Sequence, residues 1–338
     1  MPDPRFFEDL GPIRLGELAA LTGAGLAGGH APDRLVHSVA VLAQAGPDSV
    51  TFLTDRRHAD ALARSRAGAC FLPAALAGLA PAGCAALTLD NPQAAYAAAA
   101  ERLHRPRRGG DHAVAADAIL EPDVILGPGA VVGPAAQIGR GTRIGANAVI
   151  GPGVAIGRDC EIGANVTIGF ALIGDRVRIA AGTVVGEPGF GATVGPKGLI
   201  DVPQLGRVII QDGVSIGANT CIDRGAFEDT VIGENTKIDN MVQIAHNARL
   251  GRNCVMAAHS GISGSVTVGD GAQFGGQSGV SDHLTIGAGA RIGAAAGVLK
   301  DVPAGETWSG LPARPVRHWL RETAWLARMA GRRGGGDA

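Results

Sequence analysis

Large apolar residues recur at every sixth position over most of the chain. One run extends from Val132 to Ile168, and a longer run extends in one unbroken phase from Ile232 to Val298, with a small residue after most of them. A period of six fits neither the 3.6-residue α-helix nor a long alternating strand, so each hexad is predicted to be a short strand followed by a turn. Three hexads then form a triangular coil of 18 residues, and stacked coils pair their backbones about 4.8 Å apart around an apolar interior.

Two breaks in this phase predict segments that leave the repeat. The pattern is lost over residues 187–207, which are rich in glycine and proline, and it later jumps by ten residues between Ile222 and Ile232. We interpret the first break as a projecting arm and the second as a loop inserted at about residues 224–229. Both are compatible with tolerated surface insertions, and both are compatible with the walls of a substrate groove.

The flanking segments differ from the repeat in their patterning. Residues 1–105 combine helical periodicity over 15–21 and 94–104 with strand-like runs, which is typical of a small α/β domain; these runs are 49–54, 68–72 and 85–89. An amphipathic helix that begins with proline is predicted over 315–330. The predicted fold is therefore mainly β, in four parts: an α/β domain (1–105), a linker (106–112), a parallel β-helix (113–306) and a C-terminal helical extension (307–338).

Charge and cysteine content exclude several classes of protein. The chain has 30 Lys and Arg against 31 Asp and Glu, and this formal charge of -1 gives no basic field for nucleic acid or an anionic membrane. Its five cysteines include no CxxC pair, which argues against a disulfide framework and a cysteine zinc site. No apolar window approaches the ~18 residues of a membrane span. We therefore expect a cytoplasmic protein that does not cross a membrane.

The histidines of the repeat are its candidate catalytic groups. Gly264 lies 18 residues after His246, so it is predicted to lie one rung above it, and His283 is predicted to lie two rungs up at the same corner. A histidine beside a free backbone N–H is what acyl transfer needs, because the imidazole accepts a proton and the N–H stabilises an oxyanion. His259 has no such alignment and is interpreted as solvated. No H-x4-H pair occurs on the repeat, so a zinc hydrase is disfavoured and no metal site is predicted.

Longer motifs carry a more specific resemblance. The segments PQLGRV, IDRGA and DNMVQIAHN, with VTFLTDRRHADAL, LDNPQAAY and GLPARP elsewhere, resemble the UDP-3-O-acylglucosamine N-acyltransferase family of hexapeptide-repeat acyltransferases over nearly the whole chain. The resemblance implies a left-handed β-helix. It implies that His246 is the general base, that Gly264 supplies the oxyanion N–H, and that His283 acts at the phosphopantetheine arm and in catalysis.

The same resemblance implies further substrate contacts. Phe52 matches an aromatic residue that stacks on uracil, and Asn91 and Pro92 match the family's NP element, although such a pair is also a common turn. Asp55 and His58 depart from the usual Asn and Tyr, which puts one base hydrogen bond and the second stacking face in doubt. Other residues are expected in the catalytic cleft: Phe190, Asp239, Asn240 and Gln243.

These features predict an amide-forming acyltransferase of lipid A biosynthesis. The expected partners are an acyl carrier protein, which donates a 3-hydroxyacyl chain from its 4'-phosphopantetheine, and UDP-3-O-acyl-glucosamine, which accepts the chain on its 2-amine. No permanently bound cofactor is expected, and the family implies a homotrimer. Arginines of the C-terminal helix suit an acidic carrier or are simply solvated. Two alternatives stay open: a sugar-nucleotide acyltransferase that uses acetyl-coenzyme A or another donor, and a non-catalytic trimeric scaffold.

Overall fold

The centre of the chain is a parallel β-helix, a triangular column in which every coil contributes one short strand to each of three sheets. The computed structural model describes residues 2–27, 32–195, 197–311 and 313–333. Each sheet forms one face of the column and pairs strands from successive coils in parallel register. The predicted hexads are confirmed, because Ile222, Ile244 and Ile262 pair in consecutive rungs of one sheet.

The three faces are named in the order in which the chain crosses them. Face I contains strands Ile119–Leu120, Gln137–Ile138, Ala155–Ile156, Ala171–Ile173, Val208–Ile210, Thr230–Ile232, Arg249–Leu250, Thr267–Val268 and Thr285–Ile286. Face II contains Ile125–Leu126, Arg143–Ile144, Glu161–Ile162, Arg178–Ile179, Ser215–Ile216, Lys237–Ile238, Val255–Met256, Gln273–Phe274, Arg291–Ile292 and Thr307–Trp308. Face III contains Val131–Val132, Val149–Ile150, Thr167–Ile168, Val184–Pro188, Cys221–Arg224, Gln243–Ile244, Gly261–Ile262, Gly279–Val280 and Gly297–Val298.

The strands place one residue outside the column and the next inside it. On face III, Val149 is 39% exposed and Ile150 is completely buried, as expected for a period of two within each strand. Corners between faces require left-handed backbone, which asparagine adopts at low steric cost. Asn147 and Asn165, for example, have φ of 56° on consecutive rungs. The sequence therefore specifies both the aliphatic interior and the turns around it.

Both predicted breaks project from the corner between faces III and I. The arm, residues 187–207, contains strands Ala192–Gly195 and Gly198–Asp201, which pair antiparallel as a hairpin. One coil higher, the inserted loop lies between strand Cys221–Arg224 and strand Thr230–Ile232. The next coil carries His246 at the same corner, so both insertions lie directly below it.

The N-terminal domain contains helices α1 (Leu15–Thr22), α2 (Ala59–Arg64) and α3 (Pro92–Leu103), and 3-10 turns Arg56–His58 and Ala74–Leu79. Its five-stranded sheet has the order Gly25–Ala27, Ala85–Thr88, Ala69–Leu72, Ser49–Phe52 and Ser38–Val39. Two further pairs are antiparallel: Phe7–Asp9 with His104–Pro106, and Ile13–Arg14 with Leu35–Val36. Pro106, the first residue of the predicted linker, therefore lies in a strand of this domain.

The C-terminal extension begins later than the sequence predicts. Thr307–Trp308 still pairs with Arg291–Ile292, so the β-helix continues past residue 306. Helix α4 follows at Val316–Arg333, close to the predicted range, and the last residues of the extension, 334–338, lie outside the described residues. Within the described part of the chain, no helix is both long and apolar enough to cross a membrane.

We expect the aliphatic interior to carry most of the stability of the column. Replacing the buried Ile150 by alanine should lower the free energy of unfolding by about 2–5 kcal/mol, because it removes packed methyl groups and leaves a cavity. The matched control is Val149→Ala on the same strand, whose side chain faces outward. Urea unfolding followed by circular dichroism measures both, and equal losses would contradict this account of the core.

Candidate active site

A cleft of about 1280 Å³ lies between the arm and the corner that joins faces III and I. The arm supplies one wall, and consecutive rungs of the column supply the other. Its lining brings together side chains that are far apart in sequence, among them Phe190, Asp223, Gln243, His246, Gly264 and His283. The cleft is therefore the place where the predicted reactive groups of the column meet.

The side chain of His246 lies close to two glycines. A Cβ atom placed on Gly264, one rung above, would lie 2.7 Å from Cε1 and 2.8 Å from Nε2 of this ring. A Cβ atom placed on Gly189 of the arm would lie 2.6 Å from the His246 Cβ and 2.8 Å from its Cδ2. Any side chain at either position would displace the ring, so both glycines are required by close approach.

Asn247 determines which nitrogen of His246 carries the proton. The amide Oδ1 of Asn247 accepts the backbone N–H of Ala226 at 2.9 Å, so this atom is an acceptor. The same oxygen lies 3.0 Å from Nδ1 of His246, which must therefore donate to it. In the neutral ring, Nε2 is then left with a free lone pair, as a general base needs.

Backbone groups of Gly264 face the same cleft. Its carbonyl accepts the N–H of His283 at 3.0 Å, so His283 lies one rung further up with its side chain exposed in the cleft. Among the described residues, no acceptor takes the N–H of Gly264. The rung arithmetic for these three residues is confirmed, and their arrangement leaves one free backbone donor beside one free imidazole nitrogen.

A carboxylate completes the lower part of the cleft. Asp223, at the end of a face III strand, accepts a hydrogen bond from Nε2 of Gln243 at 3.0 Å. Burial raises the pKa of Asp223, although the Gln243 bond and the charges of His246 and Arg224 partly offset this. Asp223 therefore becomes protonated at a higher pH than an ordinary aspartate.

Asp239 and Asn240 lie away from this cleft. They follow strand Lys237–Ile238 and occupy the corner between faces II and III, one corner before His246, where both are exposed. Asn240 Oδ1 accepts the N–H of Ala218, and Asp239 Oδ1 accepts the N–H of Asn240. Within one chain, strand Gln243–Ile244 separates this corner from that of His246, so the expectation that these two residues belong to the catalytic cleft stays a prediction.

The remaining predicted contact from the arm, Phe190, lines the cleft and is 92% exposed. In the N-terminal domain, Phe52 is half-buried, with its ring centroid 4.8 Å from that of Tyr96 and 6.2 Å from that of Phe227 in the inserted loop. Phe227 thus joins the aromatic cluster from the β-helix. One side of the Phe52 ring is covered by protein, so a uracil base would have to stack on the exposed part of the ring.

The two departures from the family pattern lie next to Phe52. Asp55 is the N-cap of the turn Arg56–His58, and hydrogen bonds from Arg57 lower the pKa of Asp55. His58 is exposed at the end of that turn. Asp55 is already engaged by Arg57 through its backbone and its side chain, so its carboxylate is held in place whether or not a ligand is present.

The oxygen and the nitrogen of the Asn91 side-chain amide both form hydrogen bonds within the protein. Its Oδ1 caps helix α3 by accepting the N–H of Ala94 at 3.1 Å, and Pro92 occupies the first turn of that helix. Its Nδ2 donates to the carbonyl of Val194 in the arm. Asn91 therefore links the N-terminal domain to the arm, and its expected role in nucleotide binding stays a prediction.

Sequence reasoning missed three residues that the structure brings to the site. Asn247 directly follows His246 in the IAHN segment, Asp223 belongs to the IDRGA segment, and Gly189 precedes Phe190 in the arm. For Asn247 and Asp223, adjacency within a quoted motif was the available signal. Gly189 gave none, because the path of an arm that leaves the repeat cannot be counted in hexads.

Comparisons with known proteins give matches that together cover nearly the whole chain. A family model described as UDP-3-O-(3-hydroxymyristoyl) glucosamine N-acyltransferase, LpxD, matches residues 33–102, and one described as bacterial transferase hexapeptide matches residues 135–170 and 229–264. A relative from Caulobacter sp. (strain K31), a UDP-3-O-acylglucosamine N-acyltransferase, is 63% identical over 99% of this chain and 98% of its own. The chain belongs to the UDP-3-O-acylglucosamine N-acyltransferase family.

Further matches include a relative with the same name and a solved structure of a different acyltransferase. One from Methylobacterium sp. (strain 4-46) is 48% identical over 99% of this chain and 98% of its own. A solved UDP-N-acetylglucosamine O-acyltransferase from Moraxella catarrhalis RH4 aligns with 27% identity and a TM-score of 0.39, over 60% of this chain and 73% of that one. Family membership confirms the predicted acyltransferase and the left-handed parallel β-helix built from hexapeptide repeats.

We expect a methyl side chain at residue 264 to lower turnover in the cleft without unfolding the column. Gly264→Ala should lower kcat by about tenfold to a hundredfold, because the new Cβ must push the His246 ring out of position. Steady-state kinetics measures the loss, and thermal unfolding checks the fold. Gly78→Ala is the control, since a Cβ there meets no atom within 4 Å and residue 78 does not line the cleft. Unchanged kcat in Gly264→Ala would contradict the packing described for the ring.

Proposed function

We propose that the enzyme transfers a 3-hydroxyacyl chain from acyl carrier protein to the 2-amine of UDP-3-O-acyl-glucosamine, in the cytoplasm, as a step of lipid A biosynthesis. The observation that carries this proposal is the close approach, in one cleft, of the His246 ring to Gly264, whose N–H has no acceptor among the described residues. The names of the relatives supply the acceptor, and the cleft supplies the groups that amide formation needs.

The proposed reaction needs one base and one oxyanion donor. The amine nitrogen attacks the thioester carbon, Nε2 of His246 takes the amine proton, and the Gly264 N–H stabilises the negative charge on the carbonyl oxygen. The C–S bond then breaks, and the proton passes to the departing thiolate of the 4'-phosphopantetheine arm. His283 lies one rung above Gly264 and is placed to orient this thiol.

Asp223 provides the counter-charge for an amine acceptor. An amino sugar reaches the cleft partly as an ammonium ion, and this half-buried carboxylate lines the cleft together with His246. Gln243 donates a hydrogen bond to one carboxylate oxygen of Asp223 and so orients this group. Because glutamine is uncharged, this bond does not neutralise the carboxylate. We assign Asp223 to binding the 2-amine in its ammonium form, which releases one proton to water before the neutral amine attacks the thioester.

A strip of glycines leaves room for the acyl chain. Gly261, Gly279 and Gly297 occupy the outward position of face III on three consecutive rungs above Gln243, and all three line the cleft. A Cβ at any of them would meet no atom within 4 Å, so this surface is open and smooth. Leu299, 82% exposed, lies at the upper end of the strip. An extended hydrocarbon chain fits such a surface.

A homotrimer would explain two of the predicted contacts. Asp239 and Asn240 occupy an exposed corner outside the cleft of their own chain. In a trimer whose columns pack side by side, that corner is available to the cleft of a neighbouring column. The nucleotide would then lie toward the N-terminal domain, near Phe52, Asp55 and His58.

Loss of the imidazole should remove most of the activity. His246→Ala is expected to lower kcat by about a hundredfold to ten-thousandfold, because general-base catalysis contributes on that scale. His112→Ala, an exposed histidine near the linker, is the control. Mass spectrometry of the product formed from a mixed pool of acyl carrier proteins and acetyl-coenzyme A identifies the donor at the same time. Near-normal turnover in His246→Ala would overturn the mechanism, and transfer from acetyl-coenzyme A alone would overturn the donor.

Removing the charge of Asp223 should weaken binding of the amino-sugar acceptor. Asp223→Asn is expected to raise the KM for the amino sugar by about tenfold to a hundredfold, because a charge-assisted hydrogen bond is lost. The KM for the acyl donor should stay unchanged. In the wild type, burial raises the pKa of Asp223, so the acceptor KM should rise with acidification at a higher pH than an ordinary aspartate would give. An unchanged acceptor KM in Asp223→Asn would exclude the assignment.

A further inference from the structure

Arg224 is a buried cation that the proposed chemistry does not use. It ends the face III strand Cys221–Arg224 and is only 7% exposed. Among the described residues it forms no salt bridge, and burial lowers its pKa to about 10, so it stays protonated at neutral pH. A buried charge of this kind is costly unless its hydrogen bonds are satisfied by fixed partners.

Those partners are the two ends of the arm. Nε of Arg224 donates to the carbonyl of Gln204 at 2.8 Å, and one terminal nitrogen donates to the carbonyl of Gly186 at 2.9 Å. Gly186 comes immediately before the arm, and Gln204 lies close to its end. One guanidinium therefore joins both legs of the arm where they meet the column.

The flat face of the guanidinium is fixed as well. Its central carbon lies 4.1 Å above the ring centroid of Phe170, and that ring packs against Phe6 and Phe7 of the N-terminal segment. Stacking of this kind holds a guanidinium in one plane, which a lysine ammonium cannot do. The carbonyls of Gly186 and Gln204 are thus held at a fixed position relative to the column.

A short stretch of backbone connects the root of the arm to the residue that packs on His246. Gly189 lies three residues after Gly186, and it is the arm residue that packs on the imidazole. At the far end of the arm, Asn91 holds the carbonyl of Val194, so the arm is tied at its root and near its tip. Movement of the root would lift Gly189 away from the ring.

We propose that Arg224 is a positioning residue, which clamps the root of the arm so that Gly189 holds the His246 imidazole against Gly264. This inference rests on the proposed role of His246 as the base. Arg224 lines the cleft beside Asp223, but two of its nitrogens donate to carbonyls at the root of the arm, and its proposed effect on His246 passes through the arm. A loosened clamp should therefore lower kcat while leaving the affinities for donor and acceptor almost unchanged.

The test compares Arg224→Lys with Arg34→Lys. Lysine keeps the charge but cannot donate to two carbonyls in a fixed fork or stack on Phe170. Arg34 is a matched control, because its guanidinium also joins two backbone carbonyls, those of Gly83 and Pro47, within the N-terminal domain. We expect kcat to fall by about tenfold to a hundredfold in Arg224→Lys only, as for a small misplacement of a catalytic group.

A second readout follows His246 without using activity. Diethyl pyrocarbonate modifies exposed imidazoles, and peptide mapping by mass spectrometry gives its rate at each histidine. The rate at His246 should rise severalfold in Arg224→Lys, while the rate at His259 stays constant as an internal reference. Gly189→Ala should raise the rate at His246 too, with the clamp intact, and so provides the test if Arg224→Lys does not fold.

The outcomes separate the two proposals. Unchanged kcat and unchanged modification of His246 in Arg224→Lys, or equal losses in Arg34→Lys, would overturn the clamp. An unchanged rate at His246 in Gly189→Ala would overturn it as well. Faster modification of His246 in Arg224→Lys, combined with full turnover in His246→Ala, would support the clamp while refuting the proposed base.

Discussion

The buried aliphatic ladder is the constraint on which the rest of the structure depends. Every sixth residue must enter the column, so the chain completes a coil every 18 residues and its corners align vertically. Rigid alignment of this kind places His246 under Gly264 and Gly264 under the residues that precede His283. The regular rungs of the column contribute mostly backbone groups and small residues there, and the imidazoles of His246 and His283 stand out among them.

The count of sixes explains why so much of the column could be predicted. Between Ile232 and Val298 the phase is unbroken, so the neighbours of His246 followed from arithmetic, and the positions of Gly264 and His283 were correct. The same count shows where Asp239 and Asn240 lie within one chain. They are close to His246 in sequence, but the intervening strand Gln243–Ile244 moves the chain to the next corner. Position within the repeat, and not proximity within a motif, decides which residues of one chain share a corner.

The contacts outside the repeat could not be counted in this way. The arm leaves the ladder after Gly186, and its return onto His246 depends on a hairpin, on the N-terminal domain and on a guanidinium that is 38 residues from Gly186 in sequence. Asn91 is a further example, since its NP pair indicated only a common turn, and neither its cap on helix α3 nor its bond to the arm was predicted. Long-range hydrogen bonds to backbone carbonyls have no sequence period.

Where the arm leaves the β-helix, backbone carbonyls need new hydrogen-bond donors, and Arg224 supplies two of them. Where the arm departs, the pairing between strands Val184–Pro188 and Cys221–Arg224 becomes irregular, and backbone carbonyls near the root lose their place in the regular ladder. Buried carbonyls need donors, and a single planar cation with several N–H groups can serve two of them at once. The charge is tolerated because two of its nitrogens donate to carbonyls and its face lies over the Phe170 ring. The same group that satisfies the backbone at the break thereby fixes the wall of the cleft, so the integrity of the column and the geometry at His246 depend on one side chain.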